Sequence, residues 1–144
     1  MTYKEIYKNL IEEIKKDVYI SHRYMGKTLA GFYDSEYNII VINSVLKYKK
    51  EGVFALAHEY THYKDFKAGK FKRFFDIRLG EKYTDSMMRQ IVKAEQSAGR
   101  GAAKICKKYG RIYKPEELDK EKLKKLKVFW KKYYFSDCRT NIFK

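Results

Sequence analysis

The sequence predicts an α+β fold, mainly helical, with a small antiparallel β-hairpin or sheet packed beside one histidine-bearing helix. Three observations predict it. Apolar residues recur at three- and four-residue steps along the long segments, as on buried helix faces. Two short β-prone runs flank a polar turn. An apolar stretch, Val53–Ala57, runs straight into HEYTH. With 144 residues and no Pro/Gly/Ser-rich linker, the expectation is a single domain, 1–144.

In chain order, Tyr3–Lys16 places Tyr3, Ile6, Tyr7, Leu10, Ile11 and Ile14 on one helical face. Val18–Tyr24 is short and ambiguous, with an extended reading open. Leu29–Tyr33 and Ile39–Ile42, joined by DSEYN, read as an antiparallel hairpin, with Gly26 and Gly31 as weak spots or bulges. Asn43-Ser44 offers a helix cap, and a helix is predicted from about Val45 to Lys67, with a break near Gly52 and a stop at Gly69. Lys70–Lys82 has no clear period and suits a loop or short strand over the site entrance. Thr84 or Asp85 caps the next helix, which Gly110 stops. Pro115, followed by Glu116 and Glu117, fits the first turn of a last helix with the stripe Leu123, Leu126, Trp130 and Tyr133. Ordinary core packing explains that stripe.

The chemistry concentrates in AHEYTHYKDF, Ala57–Phe66. His58 and His62 stand four apart, so on a helix both imidazoles share one face and can converge on one metal ion. Glu59 lies beside that face, placed to reach water rather than the ion. H-E-x-x-H at this spacing is the signature of zinc peptidases, with the glutamate as general base. Two of the three histidines fall inside the motif. A catalytic zinc takes three protein ligands and keeps a fourth position for water. His22 reads as a surface or structural side chain. Glu95 is the better third ligand, because it interrupts a face otherwise made of Met88, Ile91, Val92, Ala98, Gly99, Ala102, Ala103 and Cys106. Small residues let a second helix approach, and a carboxylate facing that helix is costly without a partner or metal. Manganese or iron would use the same ligand types. Tyr60, Tyr63 and Tyr109 are candidates for steadying an oxyanion.

The hairpin ending in IIVINS, the segment FALAHEYTHYKDF and the later EQSAGRGAAKI together resemble the ImmA/IrrE-type metallopeptidases, over about Gly26–Lys108. That resemblance implies a zincin-like domain in which His58, His62 and Glu95 hold Zn2+ and Glu59 is the catalytic base. It also implies a function: a site-specific cut in a partner protein, often a helix-turn-helix transcriptional repressor of a phage or mobile element. Two features depart from the family pattern. Tyr60-Thr61 replace smaller residues inside the motif, and Cys106–Tyr109 stand where a Leu-Met-Pro-like run is common.

Charge leaves a second class open. Thirty-three basic against 18 acidic residues give a formal net charge of +15, which suits a polyanion or acidic partner as well as a solubilising surface. A non-catalytic, zinc-stabilised module gripping DNA or an acidic regulatory protein would use Lys120–Lys132 and Lys70–Arg78, where FKRFF interleaves rings and cations. A DNA-linked protease of the SprT-like kind would unite metal and charge but lacks zinc-ribbon cysteines. Cys106 and Cys138, far apart, read as free thiols in a reducing compartment. No apolar run approaches the ~20 residues of a membrane span, and the N-terminus is acidic and amphipathic, so the expected location is cytoplasmic, without a membrane partner.

Overall fold

The first helix is set by its own N-terminus. Thr2 and Glu5 form a reciprocal capping box, each side chain accepting from the other's backbone N–H at 3.2 and 3.1 Å. Helix α1 (Tyr3–Ile14) then buries Ile6, Tyr7, Leu10 and Ile14 completely, the face its period predicts. A computed structural model describes residues 1–78, 80–115 and 120–133. The chain divides into two compact units, Met1–Lys70 with Ser97–Pro115, and Phe71–Gln96 with Glu116–Lys144.

In the first unit, strands β1 (Tyr19–Arg23), β2 (Gly31–Asp34) and β3 (Ile39–Asn43) make a three-stranded sheet in the order β1-β3-β2. The expected hairpin forms, with β2 antiparallel to β3. The ambiguous segment becomes a strand because it pairs in parallel with β3, Ile20 opposite Ile40 and His22 opposite Ile42. Successive residues of a strand face opposite sides, and Ile40, Val41 and Ile42 are all buried, so β3 is covered on both faces. At its end, buried Asn43 ties down the loop before β2. Its amide donates to the carbonyls of Gly26 and Leu29 at 2.7 and 2.9 Å, and its oxygen accepts from Met25 N–H.

The predicted helix from Val45 breaks sooner than expected. Ser44–Leu46 is a single 3-10 turn capped by Asn43, Tyr48 adopts a left-handed backbone (φ 69°), and helix α2 spans Lys50–Lys67. Gly52 is not the break but lies inside α2. A Cβ there would sit 2.0 Å from the Leu46 carbonyl oxygen, so glycine is what lets the turn fold back onto the helix. Helix α2 stops at Gly69 (φ 74°), where Gly69 N–H reaches Phe66 O and Lys70 N–H reaches Asp65 O, a Schellman cap.

Two further helices complete the frame for the site. Helix α3 (Lys72–Phe75), in the second unit, is a short helix where a loop or strand was expected. It forms around Phe74, which packs with Ile77, Tyr83, Leu126 and Trp130 on Met87, Met88 and Ile91. Helix α4 (Asp85–Lys108) starts at Thr84, whose hydroxyl accepts from Met87 N–H at 3.1 Å, and ends at Gly110 with a second Schellman pair, Gly110 to Lys107 and Arg111 to Cys106.

Helix α4 runs through both units. Its second half joins the first unit's core through Ala102, Ile105 and Cys106. Cys106 is a buried free thiol whose pKa desolvation pushes up to about 11. Pro115 packs against Gly99 in irregular chain. Helix α5 spans Lys120–Tyr133, and its Leu126 and Trp130 pack as core, as the stripe implies. Glu116, Glu117, the Tyr133 side chain and Cys138 lie outside the described residues. Among the described residues, no helix is long and apolar enough to cross a membrane.

Substituting Gly52→Ala should lower stability by about 1–3 kcal/mol, because the new methyl meets backbone rather than a yielding side chain. Urea denaturation checks this, and an unchanged midpoint would show that the 3-10 turn is free to move.

Candidate metal centre

Helix α2 presents the motif as its period requires. The His58 and His62 rings lie one above the other, centroids 4.9 Å apart and nearly perpendicular. His62 and Glu59 are buried, and His58 is half-buried. Buried side chains of this polarity inside a helix need strong local partners.

Helix α4 brings the third donor. It comes close to α2 at Gly101, where a Cβ would lie 2.2 Å from Thr61 Cγ2 and 2.4 Å from Thr61 Oγ1. Thr61 itself turns inward, donating its hydroxyl to the Ala57 carbonyl at 2.9 Å. Four residues before Gly101, Ser97 donates to the buried carboxylate of Asp65 at 2.7 Å. Glu95 stands two positions before Ser97 on the same continuous helix. The outcome is one group: a ring nitrogen of His58, a ring nitrogen of His62 and a carboxylate oxygen of Glu95, all within 4.8 Å of one another.

This donor set fits a metal ion. Two imidazoles and one carboxylate are the ligand types of catalytic zinc sites, and three ligands leave a tetrahedral ion one open position. The same set accepts other divalent first-row metals.

Sequence reasoning named His58, His62 and Glu95, the three residues the structure groups. It missed the Ser97–Asp65 hydrogen bond and the contact at Gly101, crediting Gly99 and the alanines instead. The signal for Asp65 was present. It follows His58 by seven residues, two helical turns, on the metal-facing side of α2.

The remaining candidates are engaged elsewhere. His22 is not in the group, and its Nε2 lies 2.7 Å from the Tyr7 hydroxyl. The Tyr60 hydroxyl donates to Asp17 at 2.8 Å, and burial, then that hydrogen bond, raises its pKa. Tyr63 stacks on Tyr60 with centroids 5.8 Å apart. The Tyr109 pKa is raised by burial and then by Glu13.

No family model, curated protein or solved structure matches the chain. The reading of the site therefore rests on its donors and their placement.

Two substitutions separate ligand from scaffold. Glu95→Ala should weaken divalent-metal binding by about tenfold or more without unfolding the protein; unchanged metal content in the purified variant would remove Glu95 from the site. Gly101→Ala should lower both metal affinity and melting temperature by driving α4 away from Thr61, with partial recovery when Thr61→Ala is added. Full metal affinity in Gly101→Ala would show that this contact does not position Glu95.

Proposed function

We propose that this chain is a zinc-dependent endopeptidase of the ImmA/IrrE type. It would make a site-specific cut in a partner protein in the cytoplasm, with a helix-turn-helix repressor as the substrate class. The observation that carries this reading is the gathering of His58, His62 and Glu95 donor atoms within 4.8 Å of one another, with Glu59 next to His58 in sequence. When bound there, a divalent ion supplies Lewis acidity, which acidifies water and polarises a peptide carbonyl.

The chain's own residues do the rest. His58, His62 and Glu95 would hold the ion. Glu59, next in sequence to a ligand and not one itself, takes a proton from water as its oxygen attacks the carbonyl carbon. It returns that proton to the amine as the C–N bond breaks. A structural metal site has no use for such a base and closes its fourth position with a protein ligand; the group found among the described residues has three donors, which favours the enzyme over a non-catalytic module. Ser97 and Asp65 act on orientation, holding α4 against α2 so that Glu95 keeps its place.

The test is a metal assay on purified protein, paired with incubation against a helix-turn-helix repressor encoded beside it. The expected result is about one zinc per chain and a single cut, abolished by chelation. Glu59→Gln should keep the metal and the fold while lowering the cleavage rate by at least a factor of about 100. Cleavage retained by that variant would refute Glu59 as the base.

A further inference from the structure

A second cluster, unused by the metal centre, surrounds Tyr48. A pocket of about 420 Å³ opens between α1, β1 and the turn before α2, lined by Tyr7, Lys8, Glu12, His22, Lys47 and Tyr48 among others. That volume is within the range of small-molecule sites. Four observations bear on what it takes.

First, three ammonium groups gather around one ring: Lys4, Lys8 and Lys47 Nζ lie 5.3, 5.8 and 5.0 Å from the Tyr48 centroid. A ring offers two faces to three cations, so they crowd, and among the described residues none makes an ion pair with a carboxylate. Secondly, the carboxylate in the lining, Glu12, is already held by Lys15 at 2.7 Å.

Thirdly, His22 offers a donor. Burial, then the charge of Lys47, lowers its pKa and favours the neutral ring, whose Nε2 lies 2.7 Å from the Tyr7 hydroxyl. With the Tyr7 hydroxyl donating to Nε2, the ring carries its proton on Nδ1, which has no hydrogen-bond partner among the described residues. Fourthly, Tyr48 holds this place with φ 69°, a backbone that bulky residues rarely adopt. Its ring meets Tyr7 edge-on at 5.6 Å. Strain of this kind persists where the surroundings over-determine it and clusters at binding sites.

We propose that this pocket binds a small phosphate-bearing anion, its charge met by Lys8 and Lys47 and one oxygen by the Nδ1–H of His22. Such a ligand relieves the crowding of the ammonium groups, which the protein alone does not. The inference is independent of the metal centre.

Inorganic pyrophosphate and AMP, each titrated by calorimetry at physiological salt, test it on the full-length protein. Metal content is measured on the same samples, so failure here leaves the metal reading intact. The expected result is saturable one-to-one binding, weakened at least tenfold by combining Lys8→Ala with Lys47→Ala. The same anion should raise the His22 imidazole pKa, read by NMR, because a nearby negative charge favours the imidazolium. Combining Lys104→Ala with Lys107→Ala, on the exposed side of α4, should leave binding unchanged.

Tighter binding of AMP assigns a nucleoside to the same pocket, and tighter binding of pyrophosphate assigns phosphate groups alone; both support the site. No saturation, an unmoved His22, or equal weakening by the control pair would overturn it.

Discussion

The close passage of α4 over α2 is the contact on which the candidate metal centre depends. It is made by absence: Gly101 has no side chain, and Thr61 fills the space that one would occupy. Thr61 is able to face inward because its hydroxyl is satisfied within its own helix, by the carbonyl of Ala57. A hydrogen bond from Ser97 to Asp65 then sets the rotation of one helix against the other. With distance and rotation both set, the position of Glu95 follows from helical geometry alone. The carboxylate reaches the two histidines because the helix carrying it has nowhere else to go.

Much of this was legible in the residues. The histidine pair and Glu59 were readable because their spacing repeats the helical period, a local rule that needs no knowledge of the partner. Glu95 was readable for a different reason, as a carboxylate on an otherwise apolar face, where desolvation demands a compensating partner. The hairpin was visible in its β-branched runs and polar turn. What failed to show was long-range or made of missing atoms. Strand β1 is a strand because β3 lies beside it, and nothing within Tyr19–Arg23 announces that partner. Gly52 looked like a break and proved to be a seat for the Leu46 carbonyl, since sequence alone does not distinguish a glycine that ends a helix from one that admits a neighbour. The division into two compact units was hidden for a related reason. It falls inside α4, a continuous amphipathic helix, where no linker composition marks a boundary.

The aromatic richness of the chain also has a physical reading. Fourteen tyrosines give a protein two ways to use a ring, as apolar bulk and as a hydroxyl. Tyr7 does both, fully buried and hydrogen-bonded to His22. Tyr60 does both as well, tying α2 to Asp17 just beyond α1. These bonds reach from helix to strand and from helix to turn, where backbone ladders cannot. The Tyr60 bond fastens the side of α2 that faces away from the histidines.

The way α2 and α4 end carries one more consequence. A protein with a net charge of +15 repels itself, and counterions govern how strongly its lysine-covered surfaces do so. Both helices, however, finish in a glycine whose neighbouring amides are tied to main-chain oxygens. Amide-to-carbonyl bonds of that kind carry no net charge for dissolved ions to shield. The ends of these two helices are therefore indifferent to dissolved ions, while the lysine-covered surfaces respond to the salt.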